Sequence, residues 1–207
     1  MLHTDERFAE TIERAVHEAE TKTDSEIIVV AASRSGSYRD LALAFGALAA
    51  LAALVFLLFS PLAFSPIHIP FDLVLVLVLA TWVADRSPRF LRLLATRTRK
   101  DRQVEEAAAA AFHQEAVHGT RGRTGVLVYV SALEDRVEVI PDAGVAARVP
   151  QGELNKVRWG PHPDGRTPGD LAQFVEGLKQ LGAILGTRIP ALADNPDEVA
   201  NAPRIRT

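Results

Sequence analysis

Between Leu41 and Phe71 the chain carries no Asp, Glu, Lys or Arg, and residues 41–59 are almost entirely Leu, Ala, Val and Phe. At about 1.5 Å rise per residue, roughly 20 such residues cross a hydrocarbon core about 30 Å thick. Residues 41–64 suffice for one crossing. Ser60-Pro61, Ser65-Pro66 and Ile69-Pro70 then interrupt the helix, because proline lacks the N–H donor and biases its predecessor away from the helical region. A second apolar segment, residues 67–84, returns the chain to its starting side. Its alternating Leu and Val from Leu73 to Leu79 would also suit a buried strand, and the length of the segment favours a helix. Those seven residues supply roughly -2 to -4 kcal/mol of insertion free energy, and Asp72 lies near the turn, where a charge costs less. Residues 41–84 are therefore expected to form a transmembrane helical hairpin.

Cation placement orients it. Arg34 and Arg39 precede the first segment, the turn has no Lys or Arg, and Arg86, Arg89, Arg92, Arg97, Arg99, Lys100 and Arg102 follow the second. The positive-inside rule places both flanks in the cytoplasm. Residues 85–102 read as a basic juxtamembrane helix in which Phe90, Leu91, Leu93 and Leu94 interleave with the arginines, so that it lies against lipid headgroups or stands as a solvated basic helix. Trp82 fits an interfacial anchor. The mean hydropathy of +0.08 conceals all this, because the apolar block is diluted by a polar remainder.

The net charge of -3 gives no electrostatic reason to expect nucleic acid as a partner. With no cysteine there is no disulfide framework, thiolate zinc site or Cys nucleophile. The opening Met-Leu-His-Thr-Asp-Glu lacks the basic and apolar regions of a secretory signal, so the N-terminus is expected to stay where it is made.

The polar remainder falls on both sides of the hairpin. In residues 1–40, Phe8, Ile12, Val16 and Ala19 recur at helical spacing, with Thr4 or Asp5 as a cap, and Ile27-Ile28-Val29-Val30 reads as a strand buried on both faces. In residues 103–189, Val104, Ala108, Ala111 and Phe112 mark a helix, Val126–Val130 a second buried strand, and Arg136-Val137-Glu138-Val139 a half-exposed strand joined to it by a hairpin at Leu133-Glu134-Asp135. A last helix is expected over 167–185, after an irregular surface loop at 151–169, and residues 190–207 read as an extended tail. Neither piece closes a core alone. Together they predict an α/β fold, a small central sheet between helices, with its first two strands parallel and joined by a crossover that contains a helix.

Three pieces resemble the TPM-domain superfamily, and within it a bacterial group of membrane proteins whose TPM domain is split by a membrane hairpin. The first is Glu20-Thr21-Lys22-Thr23 with Glu26-Ile27-Ile28-Val29-Val30 and Tyr38-Arg39-Asp40. The second is Thr124-Gly125 followed by Val126–Ser131, with Glu134, Arg136–Ile140 and Asp142-Ala143-Gly144-Val145. The third is Phe174–Leu178 with Leu181–Leu185 and Asp197-Glu198-Val199-Ala200-Asn201-Ala202-Pro203. The resemblance spans nearly the whole chain. It implies an α/β sandwich in the bacterial plasma (inner) membrane, multi-pass, with both termini cytoplasmic. Some TPM domains are described as acid phosphatases or calcium-binding modules and another branch modulates a membrane receptor, so no single activity follows.

Asp142 is the leading site candidate, catalytic or metal-binding, since it follows the last strand and matches a loop where other TPM domains place acidic ligands. A loop carboxylate at a strand end holds a hard cation such as Ca2+ when the fold gathers further ligands, here Glu26 and Glu138. Equally, Asp142 and Gly144 shape a turn. His113 and His118, five apart, diverge on a helix. His162 in Pro-His-Pro-Asp-Gly reads as a solvated loop histidine, and Arg121 and Arg123 as loop residues that a phosphate or headgroup would attract. No Gly-x-Ser-x-Gly elbow, P-loop or thiol supports a common nucleophilic mechanism, so a phosphatase needs metal-activated water. The expectation is a non-catalytic scaffold or regulator of another, unknown membrane protein, held in the lipid bilayer. The alternative is a weak metal-dependent phosphomonoester hydrolase. A channel would require oligomers, and the apolar first crossing argues against a pore.

Overall fold

Apolar side chains at every position of a strand leave it only one place, the middle of a sheet covered on both faces. Residues 27–32 and 126–130 meet that condition and are buried throughout. The computed structural model describes residues 6–61, 64–162, 164–192 and 200–206. Their order is α1 (Glu6–Glu20), β1 (Ile27–Ala32), α2 (Arg39–Phe59), α3 (Ile69–Arg86), α4 (Pro88–Leu94), α5 (Arg97–Gln114), a 3-10 turn (Val117–Gly119), β2 (Val126–Ser131), β3 (Arg136–Pro141), α6 (Ala143–Ala146), α7 (Gln151–Leu154), α8 (Leu171–Arg188) and β4 (Arg204–Arg206). Thr4 and Asp5, expected to cap α1, lie outside the described residues, as does Asp197-Glu198-Val199.

The chain forms two compact units, residues 1–35 with 101–207, and residues 36–100. The first is a mixed α/β unit whose sheet runs β3-β2-β1-β4, with β1 parallel to β2 and β4 and with β2 antiparallel to β3. Ile27, Val29 and Ala31 face one side with Val126 and Val128, against Phe8, Ile12 and Val16 of α1 and Phe174, Leu178 and Leu181 of α8. Ile28, Val30, Leu127 and Tyr129 face the other, against Val104, Ala108 and Ala111 of α5. Alternation of side chains across the pleat therefore feeds two cores from the same strands. The α1–α8 contact is close: a Cβ on Gly182 would stand 2.7 Å from the Ala19 Cβ.

Three boundaries differ from the sequence expectation. The tail expected to be extended over 190–207 contains β4, which pairs Val30 with Arg204 and Ala32 with Arg206 and occupies hydrogen-bonding groups that β1 would otherwise leave bare. Arg204 and Arg206 both reach Glu115, at 3.4 and 2.6 Å. The last helix starts at Leu171 rather than 167, because Asp170 and Gln173 form a capping box and Thr167-Pro168-Gly169 stays outside it. The basic helix expected over 85–102 is broken at the extended residue Ala95, so α4 ends at Leu94 and Arg97, Arg99, Lys100 and Arg102 open α5 instead.

The loop at 151–169 is irregular but anchored. It begins with α7, Trp159 is buried against Phe174, and the Arg166 carbonyl accepts the Val137 N–H at 2.7 Å along the outer edge of β3.

In the second unit α2 and α3 pack side by side and run antiparallel. Gly46, early in α2, lies against Leu77 and Thr81, late in α3, so closely that a Cβ would stand 2.1 Å from the Thr81 Oγ1 and 2.8 Å from the Leu77 carbonyl. Residues 73–79 are thus helical. Among the described residues α2 is the one helix long and apolar enough to cross a membrane, and only 11% of its apolar window is buried. α3 carries Asp72 in its first turn and Asp85-Arg86 at its end, which leaves 12 charge-free residues, about 18 Å of helix. The expectation of two membrane-length apolar helices therefore exceeds what the helices themselves display.

Candidate functional site

Asp142 leaves β3 with an extended backbone and ends the strand by capping α6: its carboxylate accepts the Ala143 N–H at 2.7 Å. The Arg123 guanidinium meets the same carboxylate through two nitrogens, at 3.1 and 3.3 Å. The group is 3% exposed. Burial works to raise its pKa, but the bonds from Arg123 and the Ala143 N–H outweigh it and hold the carboxyl below its ordinary value. Backbone contacts fix the rest of the corner. The Asp142 N–H donates to the Gly125 carbonyl at 2.8 Å and the Gly144 N–H to the Arg123 carbonyl at 2.9 Å. A Cβ on Gly144 would stand 2.4 Å from the Gly122 carbonyl, so the Asp-Ala-Gly run needs its glycine for close approach. Arg123 itself sits at φ 51°.

The other two expected ligands stand at other positions of the sheet. Glu26 precedes β1, and its carbonyl accepts the Val126 N–H at 2.8 Å. Glu26 and Asp142 therefore flank Gly125 at one end of the sheet, with the width of β2 between them, a separation of about 10 Å at two strand spacings. Glu138 lies four residues along β3 from Asp142, roughly 13 Å away, beside Tyr129. Its carboxylate is bonded to Arg166. Burial pushes the Glu138 carboxyl pKa up, Arg166 partly offsets this, and Glu105 and Asp101 add to the rise. Among the described residues no group of three or more His, Asp or Glu is placed to hold a metal.

The histidines behave differently from the helical expectation. α5 stops at Gln114, Ala116 turns the chain at φ 50°, and His118 folds back so that its ring centroid lies 5.8 Å from that of His113 and 6.3 Å from that of Phe112. The two rings converge because His118 is not on the helix. His162 is half-exposed and its Nδ1 lies 3.1 Å from Asp164, which accepts the N–H groups of Arg166 and Thr167 at 3.0 and 3.1 Å. Asp164 also lies 3.4 Å from Arg136, a buried guanidinium that donates to Asp101 at 2.7 Å and to Thr167 at 2.8 Å. This network seats the 155–170 loop, and it pulls the bound carboxyl of Asp164 below its ordinary value against the opposing effect of burial.

Sequence reasoning passed over the most buried carboxylate described. Glu134 is 1% exposed in the β2–β3 connection, where both of its oxygens accept the Ser35 N–H at 3.1 Å and Ser131 donates its hydroxyl. The Ser35 hydroxyl lies 3.2 Å from the Tyr129 hydroxyl, and burial, more than the Glu134 charge, pushes that phenol up. These groups gather at the carboxyl ends of the parallel strands β1 and β2, with the Leu133 N–H on the Ser33 carbonyl at 2.9 Å. The available signal was Ser131, a hydroxyl closing an otherwise apolar strand three residues before an acid. What the arrangement does is hold: Glu134 fixes the segment by which the chain leaves β1.

The basic residues expected beside the membrane divide by partner. Arg99 is held by Asp40 through two bonds of 2.7 Å, donates to the Ser37 carbonyl at 3.2 Å and lies 5.3 Å from the Tyr38 ring. Arg102 bonds Glu106 along α5 at 2.8 Å. Arg86 stacks over Trp82, 4.8 Å from its centroid.

No protein-family model matches the chain, and no curated protein matches it. It is similar to a solved structure, the NMR structure of the BA42 protein from the psychrophilic bacterium Bizionia argentinensis, with 16% identity over 97% of this chain and 94% of that one and a TM-score of 0.57. At that identity the likeness is one of fold.

Proposed function

We propose that α2 and α3 cross a bacterial plasma membrane as a hairpin, and that the α/β unit is a TPM-like cytoplasmic domain tethered there as a non-catalytic scaffold or regulator of another membrane component. One observation carries the membrane reading: the apolar side chains of α2 point outward along its whole length, with Leu48, Leu51, Val55, Phe56 and Phe59 all exposed. A helix this apolar in a water-soluble core would bury most of its surface. At 21 residues it measures about 31 Å, the thickness of a hydrocarbon core. α3 supplies the return leg, an 18-residue helix of about 27 Å that carries Asp72 in its first turn and ends at Arg86.

The non-catalytic reading is supported by how Asp142 is used. Its oxygens are taken up by a helix cap and a guanidinium, and the Glu138 carboxylate by Arg166.

The absence of cysteine makes topology directly testable. A cysteine at Ser65 is expected to react with an impermeant maleimide in intact cells, and one at Arg102 only after the membrane is opened. Labelling of both in intact cells would overturn the hairpin. Purified protein is expected to release no phosphate from a generic phosphomonoester with calcium, magnesium or manganese present. Turnover abolished by Asp142→Ala would overturn the non-catalytic reading.

A further inference from the structure

The α2–α3 pair is electrically one-sided. From residue 41 to residue 85 there is no Lys or Arg, whereas Arg39, Arg86 and Arg89 all stand at the end where α2 begins and α3 finishes. All three are exposed, and among the described residues none of them has an ion-pair partner. Arg99, at the same end, differs: Asp40 neutralises it, so it belongs to the base of the pair and not to its surroundings.

α4 stays at this end. Its Phe90 packs edge-on against Phe45 of α2, with centroids 4.6 Å apart, and Leu91 is buried. A helical repeat of 100° per residue then turns Arg89 and Leu93 the other way, one turn apart on the outer face. Leu93 is 82% exposed, the side chain of a seven-residue helix that has nothing apolar to cover it. Trp82 is also exposed, one turn before Arg86, which lies over its ring. Exposed Trp and Leu set among unpaired arginines, at one end of an apolar helix pair, match the boundary between acyl chains and phosphates.

We propose that Arg39, Arg86 and Arg89 form a collar that binds the phosphates of anionic lipid headgroups, with Trp82 and Leu93 seated just beneath them. This rests on the membrane reading and adds to it a lipid preference. Charge complementarity selects the occupant: three guanidiniums with no carboxylate partner among the described residues, facing a leaflet whose anionic lipids attract each basic side chain about fivefold.

The test uses full-length protein reconstituted in phosphatidylcholine vesicles containing either brominated phosphatidylglycerol or the same fraction of brominated phosphatidylcholine. Trp82 reports the bromines within its reach, while Trp159, the other tryptophan, is buried in the α/β unit and is replaced by Phe as a control. Brominated phosphatidylglycerol is expected to quench Trp82 several-fold more than brominated phosphatidylcholine. The preference should weaken as salt rises and vanish in R39Q/R86Q/R89Q, with R39K/R86K/R89K retaining most of it. Equal quenching by both lipids would overturn the headgroup preference and leave the membrane reading standing. Quenching by neither, in folded reconstituted protein, would overturn both.

Discussion

α1 and α2 are helices of 15 and 21 residues, each packed against a second helix of 18, and they treat the rest of their surface in opposite ways. α1 turns Phe8, Ile12, Ala15, Val16 and Ala19 into the core and shows Glu13, Arg14 and His17 to solvent. α2 buries Ala42 and Gly46 and leaves a continuous apolar coat outside. A narrow apolar stripe is what a helix needs when water covers its other side, and a helix apolar all round needs a larger protein core or, as proposed for α2, a bilayer. Both pairs approach closely at a glycine, Gly182 against Ala19 and Gly46 against Thr81. What separates them is the surface that the pairing leaves over.

The comparison can be broken most strongly in the α/β core. Leu178 on α8 is fully buried among α1 and sheet side chains, and Leu178→Ala is expected to cost about 4 kcal/mol through lost burial and the cavity left behind. Leu51→Ala on α2, where Leu51 is 57% exposed, is expected to change the same unfolding by less than about 0.5 kcal/mol. Urea titration followed by Trp159 fluorescence in a Trp82→Phe background reads both. A cost at Leu51 equal to that at Leu178 would mean that α2 leans on protein rather than lipid.

A charge sharpens the contrast, because exposure has opposite meanings on the two helices. Leu51→Arg places a guanidinium near the middle of α2 and is expected to oppose membrane insertion by about 3 kcal/mol, read as the fraction of protein resistant to carbonate extraction. Glu13→Arg on the exposed face of α1 is expected to change stability by less than about 0.5 kcal/mol. Equal tolerance at the two sites would place α2 in water.

The same contrast explains what was legible in the sequence. Unbroken apolar runs at Ile27–Val30 and Val126–Val130 announce interior strands because no other setting buries both faces of a ribbon, and α1 announces itself by its stripe. β4 is silent. Arg204-Ile205-Arg206 is a three-residue edge with two charges, and only the exposed flank of β1 and the carboxylate of Glu115 give it a place. Asp142 could be found, since an acid after a strand is visible in sequence, but its employment as a cap and an arginine partner depends on the left-handed turn at Arg123, a non-glycine residue between Gly122 and Gly125 that does not advertise it. Residue type alone links Glu26 and Glu138 to it in the sequence, and strand register sets Glu26 across β2 from it and Glu138 four residues back along β3. Glu134 reads as a turn residue in the sequence because nothing local says that Ser35, 99 positions earlier, will place its N–H there.

The smallest expected effect concerns pH, and it belongs to the α/β unit alone. Burial raises the Glu138 pKa, so the folded protein holds that proton more tightly than the unfolded chain, whose glutamates titrate near pH 4.3. Its contribution is therefore fully present below about pH 4.3 and is lost as pH rises through the folded value. Asp142 has the opposite sign: its lowered pKa contributes stability above about pH 3.9, lost as pH falls through the folded value. Glu138→Gln should remove the decline on the alkaline side of that window, leave the acid limb set by Asp142 in place, and free a half-exposed Arg166 to solvent at little cost. The change should be a fraction of that at Leu178, and urea midpoints measured across pH 3.5 to 7 would show it. An unchanged profile in Glu138→Gln would mean that the Arg166 pair cancels the burial of Glu138 outright. A matching response of Trp82 in the full reconstituted protein would count against the proposed division between a water-facing and a lipid-facing helix pair.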